Sequence, residues 1–188
     1  MTRVALLILA CALLPLFAIT ARGQQFDPFQ GNALIGMAKA GNYAAVEERL
    51  NEGDSPNSIG ENGVSALIVV SQTGRCDIAV LLLKRQARTD LKDREGNTAL
   101  IYAAERGNLP CLEALIAARA DVNAINRQGM TALMRAARSG KVDAIKALIQ
   151  AKADVMATDF SGATALSYAE GARQRQAAEA LRAAGARK

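Results

Sequence analysis

Apolar and polar positions along this chain recur with a spacing of 33 residues. Asn32, Ser65, Thr98, Thr131 and Thr164 share one column, and each is followed by Ala-Leu, from Ala33-Leu34 through to Ala165-Leu166. Gly63, Gly96, Gly129 and Gly162 repeat two residues before that column, Gly41, Gly74, Gly107 and Gly140 nine residues after it, and Leu82, Leu115, Leu148 and Leu181 form a further column. Each column has a physical task. The Asn, Ser or Thr side chain accepts a hydrogen bond from a free N–H that opens a helix. The later glycine stands where that helix must stop and reverse, in a left-handed conformation that costs glycine little. The earlier glycine serves a tight turn.

Each unit therefore predicts a turn, a short helix, a second turn and a second helix. In the third unit the spacing predicts helices over Ala99 to Arg106 and Leu109 to Ala118, with Pro110 tolerated in the first turn of the second. Leu112, Leu115 and Ile116 give that helix one apolar stripe, as Ile145, Leu148 and Ile149 do one unit later. Two short helices cannot hide enough apolar surface to fold alone, so the units must stack.

The third unit runs Asp93, Arg94, Glu95, Gly96, Asn97, Thr98, Ala99, Leu100, Ile101, Tyr102, Ala103, Ala104, Glu105, Arg106, Gly107, and closes on Ala120, Asp121, Val122, Asn123. This resembles the ankyrin repeat family, whose units carry D-x-x-G-x-T-P-L-H-x-A-A-x-x-G and close on G-A-x-V-N. The resemblance covers residues 27 to 188 and implies an all-α solenoid of about five units with short hairpin-like turns, starting near 27, 60, 93, 126 and 159. Two departures are systematic. Alanine replaces the family proline in every unit, and the family histidine is replaced by Ile35, Ile68, Ile101, Met134 and Ser167, so somewhat looser first turns are expected. The end units look like caps. The first has Gln30 in the turn-glycine column and Arg49 in the leucine column, with Phe26 and Phe29 expected to cover its open end; the fifth has Arg173 in the interhelix glycine column.

Ahead of the repeats, Arg3 precedes an almost wholly apolar run from Val4 to Ile19 that Pro15 interrupts. These positions would span about 24 Å as a helix, short of a hydrocarbon core of about 30 Å. Residues 1–23 thus read as a secretory signal peptide, with Ala21 and Gly23 suited to the positions before a cut and a mature chain, 24–188, beginning near Gln24. The expected location is periplasmic or secreted, in a bacterium. An uncleaved inner-membrane anchor, on a protein that organises or protects an envelope enzyme, is the alternative, and membrane contact is expected only in that case. Cys11 carries a weaker lipoprotein signal, because the apolar run continues beyond it.

Composition then limits the chemistry. The chain has no histidine and no tryptophan among 188 residues. A Ser-His-Asp or Cys-His nucleophile and a mixed Cys/His zinc site are therefore impossible. No phosphate-binding glycine loop with lysine and no metal-ligand spacing occurs, so no enzyme, no cofactor and no metal are expected. Alanine supplies 39 residues, which predicts many close helix contacts by small side chains.

What remains is binding. The resemblance implies a non-catalytic scaffold that meets another protein through its hairpin tips and first-helix face. In the column after the lost histidine stand Gly36, Val69, Tyr102, Arg135 and Tyr168. Tyrosine and arginine are frequent interface anchors, and packing between neighbouring helices is the competing role for the two tyrosines. Turn positions Arg94, Glu95, Arg127, Met130 and Phe160 and helix ends Glu105 and Arg138 complete the candidate face. Net charge by unit runs −3, +2, −2, +4 and +2. This alternation argues against nucleic acid, and a monomer is expected. Cys76 and Cys111 are open to two readings, small apolar fillers or a disulfide between units. Helices about 10 Å apart place such a bond at the edge of reach unless the two-residue offset between the columns helps.

Overall fold

The computed structural model describes residues 30–187. The signal segment 1–23, Cys11, Phe26 and Phe29 lie outside the described residues. Among the described residues ten α-helices follow in pairs: α1 (Gln30–Ala40) and α2 (Tyr43–Asn51), α3 (Ala66–Thr73) and α4 (Cys76–Lys84), α5 (Ala99–Arg106) and α6 (Leu109–Ala117), α7 (Ala132–Arg138) and α8 (Val142–Gln150), α9 (Ala165–Gly171) and α10 (Arg175–Ala183). No strands longer than an isolated bridge occur among the described residues, and bridges Ile59 to Ser65 and Thr158 to Thr164 close two of the hairpin-like turns.

The predicted columns act as their chemistry requires. Ser65, Thr98, Thr131 and Thr164 cap α3, α5, α7 and α9, accepting from the N–H of Ile68, Ile101, Met134 and Ser167 at 3.3, 3.4, 3.3 and 3.2 Å. The histidine column has become core in the middle units: Ile68, Ile101 and Met134 are at most 1% exposed. Ser167 instead keeps a hydroxyl contact with Thr164 at 3.1 Å. The first unit departs from the register. Its helix starts at Gln30, so Asn32 lies inside it and does not precede it as the cap column predicts.

The first helices stack α1, α3, α5, α7, α9 and the second helices α2, α4, α6, α8, α10, with the first row in closer contact. Alanine explains the difference. Ala66, Ala99, Ala103, Ala104, Ala132, Ala136, Ala137, Ala165 and Ala169 on the first helices are all at most 2% exposed, so their backbones can approach closely. On the second row larger side chains fill the gap, with Ile78, Leu82, Leu112, Leu115, Ile145, Leu148 and Leu181 fully buried.

Glycines set the inter-unit distance at the hairpin tips. A Cβ on Gly96 or Gly129 would stand 2.8 Å from the backbone nitrogen of Arg127 or Phe160, and both glycines have φ of +80. That close passage lets each tip bond to the next: the N–H of Arg94 donates to the Asn62 carbonyl, Arg127 to Glu95 and Phe160 to Gln128, at 2.9, 3.0 and 3.2 Å.

On the opposite side Cys76 and Cys111 form a disulfide with their Cα atoms 4.9 Å apart. The two-residue offset is what brings them within reach. Cys76 opens α4 and Cys111 sits in the first turn of α6, so the bond joins the starts of neighbouring second helices. At the first cap, Arg49 makes a two-pronged contact with Asp54 at 2.8 and 3.1 Å, where other units carry leucine. At the last, Arg182 bonds Glu170 from α10 across to α9 at 2.5 Å.

Candidate protein-interaction face

In units three, four and five each hairpin turn is built on one side chain. Asp93 Oδ1 accepts the N–H of Glu95 and Asn97, Asn126 Oδ1 those of Gln128 and Met130, and Asp159 Oδ1 those of Ser161 and Ala163, all at 2.9 or 3.0 Å. The turn therefore leaves the second carboxylate oxygen of each aspartate free for the adjoining helix. Tyr102 on α5 donates its hydroxyl to Asp93 Oδ2 at 2.7 Å, and Tyr168 on α9 donates to Asp159 Oδ2 at 2.5 Å. Where the turn carries Asn126, the equivalent helix position is Arg135, which turns to the preceding unit and meets Glu105 at 3.0 Å.

These contacts revise the expected Tyr-Arg-Tyr ladder. Tyr102, Arg135 and Tyr168 do lie in line on successive first helices, half-buried, but their polar ends are engaged within the array. The tyrosines hold turns to helices and Arg135 holds α7 to α5, which leaves a partner mainly the ring and stem surfaces. Met130 is corrected outright. It is 4% exposed and belongs to the core, because its position on the hairpin faces inward, and it cannot touch a partner.

A buried network links two turns. Asn126 Nδ2 donates to Asn97 Oδ1 at 2.9 Å, and Asn97 Nδ2 donates to the Tyr102 hydroxyl at 3.2 Å and to Glu95 at 3.1 Å. Asn97 and Asn126 are 0% and 4% exposed, so unpaired amides there would be costly. The titration of the members follows from this geometry. The Tyr168 hydroxyl, then the Ser161 hydroxyl, hold the Asp159 carboxylate down at about 2. In return, the hydrogen bond to Asp159, then burial, push the Tyr168 phenol up. Burial first and Asp93 second raise the Tyr102 phenol in the same way.

The remaining candidates are outward. Arg94, Glu95, Arg127 and Phe160 are exposed at the tips, with Phe160 at 73% the most exposed of the large apolar side chains. Arg138 is exposed at the end of α7, 3.8 Å from Glu105, while Glu105 is half-buried between it and Arg135. Sequence reasoning placed these residues on one side of the array but missed Asp93, Asn97, Asn126 and Asp159, which organise it. A signal was available: aspartate stands nine residues before tyrosine in units three and five, and asparagine nine before arginine in unit four. A shallow depression beside the face, lined by Glu105, Arg106, Ser139 and Lys141, adds Arg106 to it.

Among the described residues, no group of three or more Cys, Asp or Glu is placed to hold a metal ion, and no helix is long and apolar enough to cross a membrane. No curated protein matches the chain. A family model for ankyrin repeats, three copies, matches residues 34–126 and 107–188. Ankyrin repeats are in general protein–protein interaction modules, typically without catalysis of their own. With the repeat register, the paired helices and the stacked tips all in place across the matched residues, the chain belongs to the ankyrin repeat family.

Proposed function

We propose that this protein is an exported, non-catalytic scaffold of the cell envelope that holds another protein against its hairpin tips and the adjoining first-helix ends. The observation that carries the reading is the tip row itself. Arg94, Arg127 and Phe160 occupy equivalent places on three tips bonded in series, and Phe160 is 73% exposed. Arginine and aromatic side chains are the types that most often anchor interfaces, and here they stand in one column on neighbouring tips.

Export draws support from two independent features. One is the apolar run Val4 to Ile19 after Arg3. The other is the Cys76–Cys111 disulfide, since such bonds persist in oxidising compartments and are rare in a reducing cytosol. N-terminal sequencing of the protein from fractionated cells tests this. A start near Gln24 in a soluble envelope fraction supports it; an intact Met1 in the membrane fraction indicates the anchored form; recovery from the cytosol overturns both.

The binding face is tested in cells with a photo-crosslinking amino acid placed singly at positions 94, 127 and 160, and at 113 and 146 on the second helices. Crosslinks to a distinct protein from the three tip positions, and none from the other two, are expected. The reverse pattern would move the interface to the second-helix side.

A further inference from the structure

Charge on units three and four is sorted by side. The hairpin tips and first helices carry five cations, Arg94, Arg106, Arg127, Arg135 and Arg138, against three carboxylates, whereas the interhelix turns and second helices, where Lys141 opens α8, have four cations against four carboxylates. The contacts sharpen this imbalance. Both Asp93 oxygens are taken by turn N–H groups and Tyr102, and Glu105 is shared by Arg135 and Arg138. Only Glu95 remains an exposed acid. Arg94, Arg106, Arg127 and Lys141 form no ion pair among the described residues. The internal contacts thus engage two of the three acids of this face and leave Arg94, Arg106 and Arg127 exposed and unpaired.

From this charge complementarity we infer that the occupant of the face is an acidic, extended protein segment whose carboxylates meet the successive tips and whose apolar residue meets Phe160. This deepens the proposed function and rests on its reading of the tips as the binding side. Geometry gives the spacing. Stacked units lie about 10 Å apart, and a segment extended in the polyproline II conformation advances about 3.1 Å per residue with three residues per turn, so every third side chain lies on one face and reaches the next tip. Two carboxylates three residues apart match Arg94 and Arg127, and an apolar side chain three further on matches Phe160. Bidentate guanidinium–carboxylate pairing supplies the direction-sensitive contact that a diffuse positive patch lacks. Nucleic acid is the weaker occupant. Glu95 and Glu61 interrupt the row, and the tips offer one ring and no series of rings on which bases could stack.

The test is selection of a random extended-peptide display library on residues 24–188 with the disulfide intact, followed by titration of the most enriched synthetic peptide. Enrichment of acidic residues three apart, followed by an apolar residue at the same interval, is expected. Affinity should fall about tenfold for each reversal in Arg94→Glu and Arg127→Glu. The same change of net charge on the second-helix side, Arg119→Glu with Lys146→Glu, should cost about twofold or less, because those charges lie beyond the screening length. Phe160→Ala should remove the preference for the apolar residue while leaving that for the acids.

Several results would overturn the inference: no enrichment, enrichment of neutral or basic peptides, equal losses from both pairs of reversals, or tighter binding of single-stranded oligothymidylate than of the peptide. If tip crosslinks to an envelope protein persist while the selection shows no acidic preference, the scaffold reading stands and only the partner's chemistry is wrong. If the tip crosslinks vanish as well, the binding face itself falls.

Discussion

Along the first-helix side, each tip is hydrogen-bonded to the next, and at Gly96 and Gly129 the passage leaves no space for a side chain; along the second-helix side, neighbours meet through Leu and Ile packing and one disulfide. The first arrangement is sensitive to detail, because a lost N–H partner or an added methyl group is felt directly. The second is more forgiving of detail, since apolar packing depends on volume more than on direction. The difference teaches where precision is placed: on the side that displays Arg94, Arg127 and Phe160. The second-helix side supplies cohesion.

The largest expected effect tests the cohesive side. The double change Cys76→Ser with Cys111→Ser opens a loop of 35 residues, and on the chain-entropy account that lowers stability by about 3–4 kcal/mol. Urea unfolding of the variant and of the oxidised parent measures it. Hydrogen exchange should show α1 to α4 opening at lower denaturant than α7 to α10, because the bond ties unit two to unit three. Equal midpoints for the two proteins would mean that packing alone couples these units.

The precise side is tested by a matched pair of glycines. Gly129 and Gly162 have nearly the same backbone, with φ of +80 and +83, yet a Cβ on Gly129 meets the Phe160 nitrogen at 2.8 Å while one on Gly162 meets nothing within 4 Å. Gly162→Ala therefore measures left-handed strain alone, about 1 kcal/mol. Gly129→Ala adds the displacement of the next tip and its hydrogen bond, for about 2–3 kcal/mol in all. If the two variants unfold at the same denaturant concentration, tip stacking contributes nothing and the rigidity assigned to this face is wrong.

A smaller effect separates the turn carboxylates from their surroundings. The fold lowers Asp159 from an ordinary value of 3.8 to about 2. It therefore stabilises the protein wherever the unfolded chain also ionises this group, above 3.8, and that contribution is lost as pH falls from 3.8 through about 2. The tyrosines act oppositely. Tyr102 and Tyr168 are raised above 10.0, so their contribution is complete below pH 10.0 and is lost as pH rises beyond it. Tyr168→Phe should cost about 1–1.5 kcal/mol at neutral pH and flatten both limbs of a melting-temperature profile. An unchanged profile would deny the Tyr168–Asp159 bond its role.

The repeat register was legible because it is written in local requirements that depend on no other unit. A cap hydroxyl and a left-handed glycine are needed wherever a helix starts and stops, and the bounds Ala99 to Arg106 follow from Thr98 and Gly107 alone. The side-chain networks were less legible, because they depend on which face a residue presents once units stack. Met130 was read as a tip residue and is core. Tyr102 and Tyr168 have the composition of interface anchors, yet nearby aspartates claim their hydroxyls. The disulfide was undecidable from spacing, since whether an offset of two residues closes or widens the gap depends on how far the second helices slide past one another.

The smallest prediction returns to the forgiving side, where three middle units place Gln86, Arg119 and Lys152 in left-handed conformations with φ of 62, 61 and 68, while the first and last have Gly53 and Gly185 at the same point. A β-carbon there costs about 1 kcal/mol, but glycine is also freer in the unfolded chain and returns part of that gain. Lys152→Gly should therefore stabilise by only about 0.5 kcal/mol, visible as a slight rise in melting temperature, with the parallel changes at Gln86 and Arg119 adding to it. Lys152 is exposed, so its side chain has little packing to lose. A destabilised Lys152→Gly would show that the lysine stem shields the second-helix ends, and that the outer side is more finely fitted than its packing suggests. A stabilised variant would confirm the contrast: backbone strain persists on the side that supplies cohesion, and glycine is kept at Gly96 and Gly129, where the next tip passes too closely for any side chain.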